Sequence, residues 1–85
     1  MSVNIKCVDL FCGCGGMSLG FQKAGFNIVA GIDNWKSAIR VYGMNFNHPI
    51  IEQDLLDVDE AVKIIAAYAP DLIIGGPPCQ DFSTA

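Results

Sequence analysis

Four short apolar runs alternate with three segments of helical periodicity, and this alternation limits the chain to few folds. The apolar runs are residues 5–10, 26–32, 50–52 and 72–75. Between them, apolar residues recur three and four positions apart, as they do on one face of a helix. Continuous apolar strands that alternate with helices are typical of a parallel sheet covered by helices. The sequence therefore predicts an α/β fold with four parallel strands and three crossover helices.

Turn-forming residues delimit the three predicted helices. The first opens from a glycine-rich turn and ends at Gly25, the second covers residues 35–46 and stops before Pro49, and the third begins after Asp57. Asp57 is a favoured N-cap residue, and glycine is typical just past a helix end. The apolar residues expected to face the sheet are Met17, Phe21 and Ala24, then Trp35, Ala38, Ile39, Tyr42 and Phe46, then Val58, Ala61, Val62, Ile65 and Ala69.

Length and composition indicate part of a larger domain. A chain of 85 residues allows one domain at most, and 52% apolar against 16% charged residues is more apolar than a self-sufficient small domain requires. The net charge is −4 and the basic residues are scattered, so we expect this segment alone to bind DNA or RNA weakly. Without a signal peptide or an apolar run of about 20 residues, we expect a soluble intracellular protein.

The cysteines and the histidine offer few ligands for a metal. Cys7, Cys12 and Cys14 fall within eight residues, and without a secretory context we expect reduced thiols. Cys12 and Cys14 lack a second cysteine or histidine pair at zinc spacing, so no metal site is expected and both are interpreted as small fillers of a tight loop. His48 precedes Pro49 in a connection, where we expect it to be solvated.

A glycine-rich turn and an acidic residue form the pattern of a nucleoside site. Gly13, Gly15 and Gly16 follow the first strand, and Asp33 ends the second strand 20 residues after Gly13. Glycines let the backbone approach a ligand, and a carboxylate there accepts hydrogen bonds from ribose hydroxyls. Ser18 stands where a dinucleotide fingerprint needs glycine or alanine, which disfavours a dehydrogenase but leaves it open. The alternative interpretation, that the glycines only form a sharp turn and bind no ligand, stays open.

Other side chains should reach the same edge of the sheet, because they too follow strand ends. Phe11 can stack on a flat adenine or belong to the core. Asp54 can accept a hydrogen bond from an adenine amino group or form an Asx turn. Asn34 offers a polar contact, and Trp35 fits the core better than the ligand edge.

Cys79 follows the fourth strand in a setting unlike that of a buried cysteine. Pro77 and Pro78 precede it, and two prolines withdraw two backbone donors and restrict φ. Such a thiol is a candidate nucleophile when its surroundings lower its pKa.

Two segments resemble signature motifs of the cytosine carbon-5 DNA methyltransferases. Residues 9–16 with Gly20 resemble the first motif, residues 75–83 resemble the fourth, and the similarity extends across the chain. The resemblance implies a Rossmann-like fold that uses S-adenosylmethionine, with residues 1–85 as the N-terminal part of a single methyltransferase catalytic domain. It also implies methyl transfer to carbon 5 of cytosine in DNA, in a bacterial restriction-modification setting.

The resemblance assigns roles to individual residues. Cys79 is implied as the nucleophile that adds to carbon 6 of cytosine. Family members usually have glutamate where Asp33 stands and often an aromatic residue where Asn34 stands. The residues implied at S-adenosylmethionine are Phe11, Gly13, Gly15, Gly16, Asp33, Asn34, Asp54, Leu55 and Pro78, and those implied at the cytosine are Pro78, Gln80 and Ser83.

The resemblance also implies that parts of the enzyme lie beyond residue 85. The glutamate motif, the arginine motif, the target-recognition region and the C-terminal motifs are not in this sequence, so we expect the 85 residues alone to be inactive. The implied partners are DNA, bound mostly through other regions, and the remainder of the enzyme or a complementing chain, in the cytoplasm or at the nucleoid. A tRNA cytosine-5 methyltransferase and a non-catalytic cofactor-binding or interaction fragment stay open.

Overall fold

A computed structural model describes residues 4–76 and shows the predicted alternation of strands and helices. The order of elements is confirmed, the third and fourth strands have the predicted bounds, and the second helix is one residue shorter at each end than predicted. The elements are Lys6–Leu10 (β1), Gly16–Lys23 (α1), Asn27–Asp33 (β2), Lys36–Asn45 (α2), Ile50–Glu52 (β3), Val58–Ala67 (α3) and Leu72–Gly75 (β4).

The four strands form one parallel sheet in the order β3-β2-β1-β4. The chain moves outward from β1 to β3 and then crosses back over β1 to place β4 on the other side. Leu10, at the end of β1, pairs with Ile32 of β2 and Gly75 of β4. The strand order therefore reverses between β1 and β4. In open α/β sheets, ligands bind beyond the carboxyl ends of the strands at such a reversal.

Cys7 and Val8, which are neighbours in β1, are buried on opposite faces of the sheet, as strand geometry requires. Ile28 and Ala30 of β2 also lie on opposite faces, although they are two residues apart, because the register between β1 and β2 shifts there. One face buries Val8, Ala30 and Ile32. Two of the partly buried residues that pack against this face are Ile65 of α3 and Tyr68, which directly follows α3. The other face buries Cys7, Ile28 and Ile74 against Phe21, Phe26 and Leu72. Helices thus cover both faces of the sheet.

The predicted helix ends are confirmed by their geometry. Asp57 is the N-cap of α3, and its carboxylate accepts from the backbone N–H of Glu60 at 3.5 Å. Gly25 follows the C-cap of α1 with φ +101°, a conformation that favours glycine.

The predicted buried faces of α1 and α3 are partly wrong. Met17 and Ala24 are exposed, and the buried residue of α1 is Ser18. In α3, Val58 and Val62 are exposed, and Ala61 is buried. The sequence of α3 has two overlapping apolar stripes, so periodicity alone did not identify the one that packs. Ala69 also proves exposed, with φ +46° just past the helix.

Replacing Gly31 with alanine should destabilise the protein by about 1–3 kcal/mol, the usual cost of overpacking a core. A Cβ atom at Gly31 would lie 2.7 Å from Cζ of Tyr42 and 3.1 Å from Sγ of Cys12, and both neighbours are buried. The free energy of unfolding, measured by urea denaturation, checks this. Gly43→Ala is the matched control, because its Cβ would meet only Ile50 at an ordinary 3.6 Å within a helix. An unchanged free energy of unfolding in Gly31→Ala would contradict the packing described.

Between residues 4 and 76, no helix is long and apolar enough to cross a membrane.

Candidate functional site

A cleft of about 810 Å³ lies at the carboxyl edge of the sheet. Its wall comes from the segments that follow all four strands, so the predicted meeting of these segments at one edge is confirmed for the part of the chain that the structure describes. The residues that line the cleft are Phe11, Gly13, Asp33, Asn34, Trp35, Gln53, Asp54, Leu55, Leu56 and Gly76.

The turn after β1 uses a left-handed backbone at three positions, which are Phe11 (φ +54°), Gly13 (φ +56°) and Gly15 (φ +104°). Such a conformation is unusual for a bulky residue, and strained backbone of this kind concentrates at functional sites. The Phe11 side chain is partly exposed on the cleft wall and does not belong to the core. A Cβ at Gly13 would meet nothing within 4 Å, so this turn leaves open space beside its backbone.

Asp33 ties the turns that follow β1 and β2 together. Its Oδ2 accepts from the backbone N–H of Gly13 at 2.8 Å, and its Oδ1 accepts from those of Asn34 at 2.7 Å and Trp35 at 3.4 Å. The residue is only 9% exposed but lines the cleft. A carboxylate has about four acceptor sites, so Asp33 retains capacity for a ligand. Its position is fixed before any ligand binds.

Asp54 forms an Asx turn, one of the two interpretations left open by the sequence. Its Oδ1 accepts from the backbone N–H of Leu56 at 2.9 Å. The turn places Asp54 and Leu55 on the cleft wall. Leu55 also packs against the core cluster that contains Ile32. The predicted contact of Asp54 with an adenine amino group stays a prediction.

Gly15 and Gly16 are not among the described residues that line the cleft. A Cβ at Gly15 would overlap the ring of Phe46 and approach Tyr42 to 3.1 Å, so packing also requires glycine there. Gly16 begins α1. The predicted contacts of both with a cofactor stay predictions.

The predicted roles of Pro78, Cys79, Gln80 and Ser83 concern residues outside the described range, 4–76.

The prediction that Trp35 belongs to the core is wrong. The side chain is 65% exposed and lines the cleft. Trp35 is the N-cap of α2 with an extended backbone, φ −90° and ψ 107°, so it lies outside the helical repeat from which its burial was predicted. Asn34 is also exposed on the cleft wall.

A buried chain of polar side chains lies beneath the glycine-rich turn, and it was not predicted from the sequence. The Ser18 hydroxyl donates to Oδ2 of the fully buried Asp9 at 2.6 Å and is 2.8 Å from the Tyr42 hydroxyl, which contacts Nε2 of His48 at 2.5 Å. Ser18 has one hydroxyl hydrogen, so Tyr42 donates to Ser18. The expectation that His48 is solvated is wrong, because the Tyr42 contact holds it half-buried. The available signals were an aspartate within an apolar strand and a serine at a glycine position.

Burial controls the ionisation of this region. Desolvation raises the pKa of Asp9, and the nearby charge of Asp33 raises it further, against the lowering effect of the Ser18 hydrogen bond. Desolvation also raises the pKa of Tyr42 to about 12 and lowers the pKa of His48. The Oδ1 atom of Asp9 has no hydrogen-bond partner among residues 4–76. The hydrogen-bonded side chains from Asp9 to His48 thus link β1, α1 and α2 in a region of low polarity.

The buried thiols are poor nucleophiles. Desolvation raises the pKa of Cys12 to about 12, with the charges of Asp9 and Asp33 adding to it, and desolvation also raises the pKa of Cys7. Because the thiolate is the reactive form, neither thiol can react readily near neutral pH. Cys14 is exposed. All three are free thiols, as predicted, and Cys12 fills the turn.

No group of three or more histidine, cysteine or acidic side chains within the described part of the chain could hold a metal ion.

The strand order, the glycine turn at the reversal of the sheet and the anchored carboxylate after β2 together define a Rossmann-like protein with a candidate nucleoside site. Residues 5–85 match the family described as C-5 cytosine-specific DNA methylase. The chain belongs to this family, and the resemblance carried by its two motifs is confirmed.

The similar curated proteins are Type II methyltransferases. M.HgiGI of Herpetosiphon aurantiacus is 65% identical over 95% of this chain and 64% of its own length. M.HgiDI of the same organism is 63% identical over 95% of this chain and 26% of its own length. M.HindV of Haemophilus influenzae is 62% identical over 95% of this chain and 27% of its own length. The chain therefore spans between about a quarter and two thirds of these relatives.

Solved structures confirm the fold. A prophage-encoded protein of E. coli, described as a DNA modification methyltransferase, is 34% identical with a TM-score of 0.73 over 91% of this chain and 23% of that one. A DNMT2 variant from Spodoptera frugiperda is 29% identical with a TM-score of 0.78 over 91% of this chain and 24% of that one. The four-stranded parallel α/β fold is thus that of S-adenosylmethionine-dependent methyltransferases, as predicted.

Proposed function

We propose that the protein containing this chain transfers a methyl group from S-adenosylmethionine to carbon 5 of cytosine in DNA, with Cys79 as the nucleophile. The observation that supports this most directly is the position of Gly76, which lies on the wall of the same cleft as Asp33. Cys79 follows Gly76 by three residues. Three residues of chain extend at most about 11 Å. This short connection to the cleft wall supports Cys79 as a residue that acts on a ligand bound in the cleft.

The cleft suits the nucleoside half of S-adenosylmethionine. Its volume of about 810 Å³ is typical of small-molecule sites. Asp33 has one acceptor site left, which a ribose hydroxyl can use, and the open space beside Gly13 admits a ligand close to the backbone. Phe11 adds an apolar surface on the wall. When bound there, S-adenosylmethionine supplies an activated methyl group.

The chain's contribution to the chemistry is covalent activation of the base. Carbon 5 of cytosine is a poor nucleophile, and addition of the Cys79 thiolate to carbon 6 moves electron density onto carbon 5. After methyl transfer, loss of the carbon-5 proton and expulsion of Cys79 restore the aromatic ring. The cytosine has to leave the duplex to expose carbon 6, as in other enzymes that modify bases. Pro78 contributes a backbone carbonyl to the cytosine amino group, beside Gln80 and Ser83.

The protonation and the positions of the other thiols support Cys79 as the nucleophile. Burial raises the pKa of Cys7 and raises that of Cys12 to about 12, which keeps both protonated. Cys14 is exposed but is not among the described residues that line the cleft. Neither the buried pair nor Cys14 therefore competes for the role.

Residues 1–85 form the N-terminal part of one catalytic domain in this proposal. The net charge of −4 gives the segment little attraction for phosphates, so DNA is held mainly by the remainder of the enzyme or by a complementing chain. The Type II relatives support a restriction-modification role. Such a role places the protein in the cytoplasm or at the nucleoid.

Covalent trapping tests the proposal. The protein that contains this chain is incubated with S-adenosylmethionine and duplex DNA in which 5-fluorocytosine replaces cytosine, because a fluorine at carbon 5 cannot be lost as a proton. We expect an adduct that survives denaturation and that peptide mass spectrometry places on Cys79. Parallel incubation with tRNA tests the RNA alternative. Methylation of tRNA alone, or methylated DNA without any trapped adduct on the fluorinated substrate, would contradict the proposal.

A further inference from the structure

Asp9 is a fully buried acid that the proposed chemistry does not use. It lies in β1 between two strands, where its partners in the sheet are the uncharged residues Gly31 of β2 and Ile74 of β4. Desolvation raises the pKa of Asp9, and the negative charge of Asp33 raises it further. Both effects favour the protonated form of the carboxyl group. A buried group of this kind needs a route by which a proton can enter and leave.

A continuous row of hydrogen bonds leads from Asp9 toward the surface. It passes through Ser18 and Tyr42 to His48, with distances of 2.6, 2.8 and 2.5 Å between successive side-chain atoms. Asp9, Ser18 and Tyr42 are fully buried, whereas His48 is half-buried. His48 is therefore the member of the row that water reaches. The four residues come from β1, α1, α2 and the connection before β3, so folding alone brings them together.

The direction of these hydrogen bonds depends on whether Asp9 carries a proton. Charged Asp9 accepts from Ser18. Because each hydroxyl has one hydrogen, Ser18 then accepts from Tyr42, and Tyr42 accepts from Nε2–H of His48. A proton on Oδ1 of Asp9 would find no acceptor among residues 4–76, whereas a proton on Oδ2 can be donated to Ser18. Protonation at Oδ2 reverses every hydrogen bond of the row, and Nε2 of His48 becomes an acceptor.

We propose that the side chains from Asp9 to His48 are a proton relay, which carries protons between solvent and Asp9 and makes the hydrogen bonds beneath the glycine-rich turn depend on pH. A proton from water binds Nδ1 of His48, and Nε2 gives its own proton to the Tyr42 oxygen. Tyr42 passes its hydroxyl proton to Ser18, and Ser18 passes its own to Oδ2 of Asp9. One N–H or O–H bond forms for each that breaks, and the His48 ring changes from the Nε2–H to the Nδ1–H tautomer.

Asp9 and His48 are the members of the relay that change protonation near neutral pH. Desolvation raises the pKa of Tyr42 to about 12 and that of the neighbouring Cys12 thiol to about 12, so both stay protonated. Desolvation also lowers the pKa of His48, which favours a neutral ring with protonated Asp9 over a charged pair. The relay is independent of the proposed methyl transfer. It sets the charge beside Asp33, which anchors the turns at the cleft.

Nitrogen NMR spectroscopy of the whole protein, with isotopic labels in the histidine rings, tests the relay, because the two tautomers interchange which ring nitrogen carries the hydrogen. The His48 signals are identified by their loss in His48→Gln. In the wild type, we expect the neutral ring to change from Nδ1–H to Nε2–H as the pH rises through the titration of Asp9. Asp9→Asn should keep one tautomer at every pH at which the ring is neutral, because an amide does not titrate.

Tyr42→Phe removes the hydroxyl that joins Ser18 to His48, so the tautomer of His48 should no longer change with the protonation of Asp9. Tyr68→Phe is the matched control, because it removes a tyrosine hydroxyl from a partly buried residue on the other face of the sheet, and it should behave as the wild type. A neutral wild-type ring that keeps one tautomer throughout, or a tautomer change that persists in Tyr42→Phe, would overturn the relay and leave the proposed function standing.

Urea denaturation at several pH values gives a second readout. The pKa of Asp9 is raised in the folded protein, so its contribution to stability is complete below the unfolded-state pKa and is lost as the pH rises through the folded-state pKa. The free energy of unfolding of the wild type, relative to that of Asp9→Asn, should therefore fall across the pH range in which the His48 tautomer changes. A difference that is constant across this range would also overturn the relay.

Discussion

Replacing Cys79 with alanine should abolish methyl transfer and the trapped adduct while S-adenosylmethionine still binds. Without the thiolate, carbon 5 of cytosine keeps its low nucleophilicity, and no other described group can form the bond to carbon 6. Residual turnover should fall by a factor of at least about 10⁴, comparable to the loss of a nucleophile in other covalent enzymes. Tritium transfer from labelled S-adenosylmethionine to duplex DNA measures it.

The matched control for this variant is Cys14→Ala. Cys14 is a free and exposed thiol in the glycine-rich turn, so its loss removes an accessible cysteine without touching the proposed chemistry. Cys14→Ala should retain activity within about threefold of wild type. Near-normal turnover in Cys79→Ala, or loss of the adduct in Cys14→Ala alone, would assign the chemistry to a different residue.

Replacing Asp33 with alanine should weaken S-adenosylmethionine binding by about 10- to 10²-fold. A hydrogen bond from a ribose hydroxyl to a charged acceptor is lost, and it is worth about 1.5–3 kcal/mol. The variant also leaves the backbone N–H groups of Gly13 and Asn34 without their carboxylate acceptor. Isothermal titration calorimetry measures the affinity. The melting temperature should fall as well, because the turns that follow β1 and β2 lose their common anchor.

Two further variants separate ligand binding from turn stability. Asp33→Asn keeps the shape and one acceptor oxygen, so we expect smaller losses of affinity and melting temperature than in Asp33→Ala. Asp59→Ala is the control for removing a negative charge, since Asp59 lies in the first turn of α3, away from the described cleft wall. An affinity within threefold of wild type in Asp33→Ala would remove Asp33 from the ribose site.

The fold was largely predictable because its signals are local. Strands such as β3 and β4 are continuous apolar runs bounded by turns, and their bounds were found to the residue. Caps such as Asp57 and Gly25 depend on backbone geometry within a few residues. Local hydrogen bonding and steric preference therefore suffice to locate them in a sequence.

The buried faces of the helices were less predictable, because an apolar stripe shows which residues can be buried but not which surface they pack against. Val62 fits a helical stripe as well as Ile64 does, yet Val62 is exposed while Ile64 packs against the core. Ser18 is polar, but it is buried because Asp9 and Tyr42 meet its hydroxyl across three elements. Such pairings join residues distant in the chain.

By itself the sequence determined the class of the fold, the family and the residues that follow the ends of the strands, because these depend on order, spacing and local chemistry. Only the tertiary structure decided that the strand order reverses between β1 and β4, that Asp33 is held by Gly13 from 20 residues away, and that Trp35 faces the cleft. These features arise where separate segments meet. Their free energies depend on distances in space, and a linear pattern does not contain those distances.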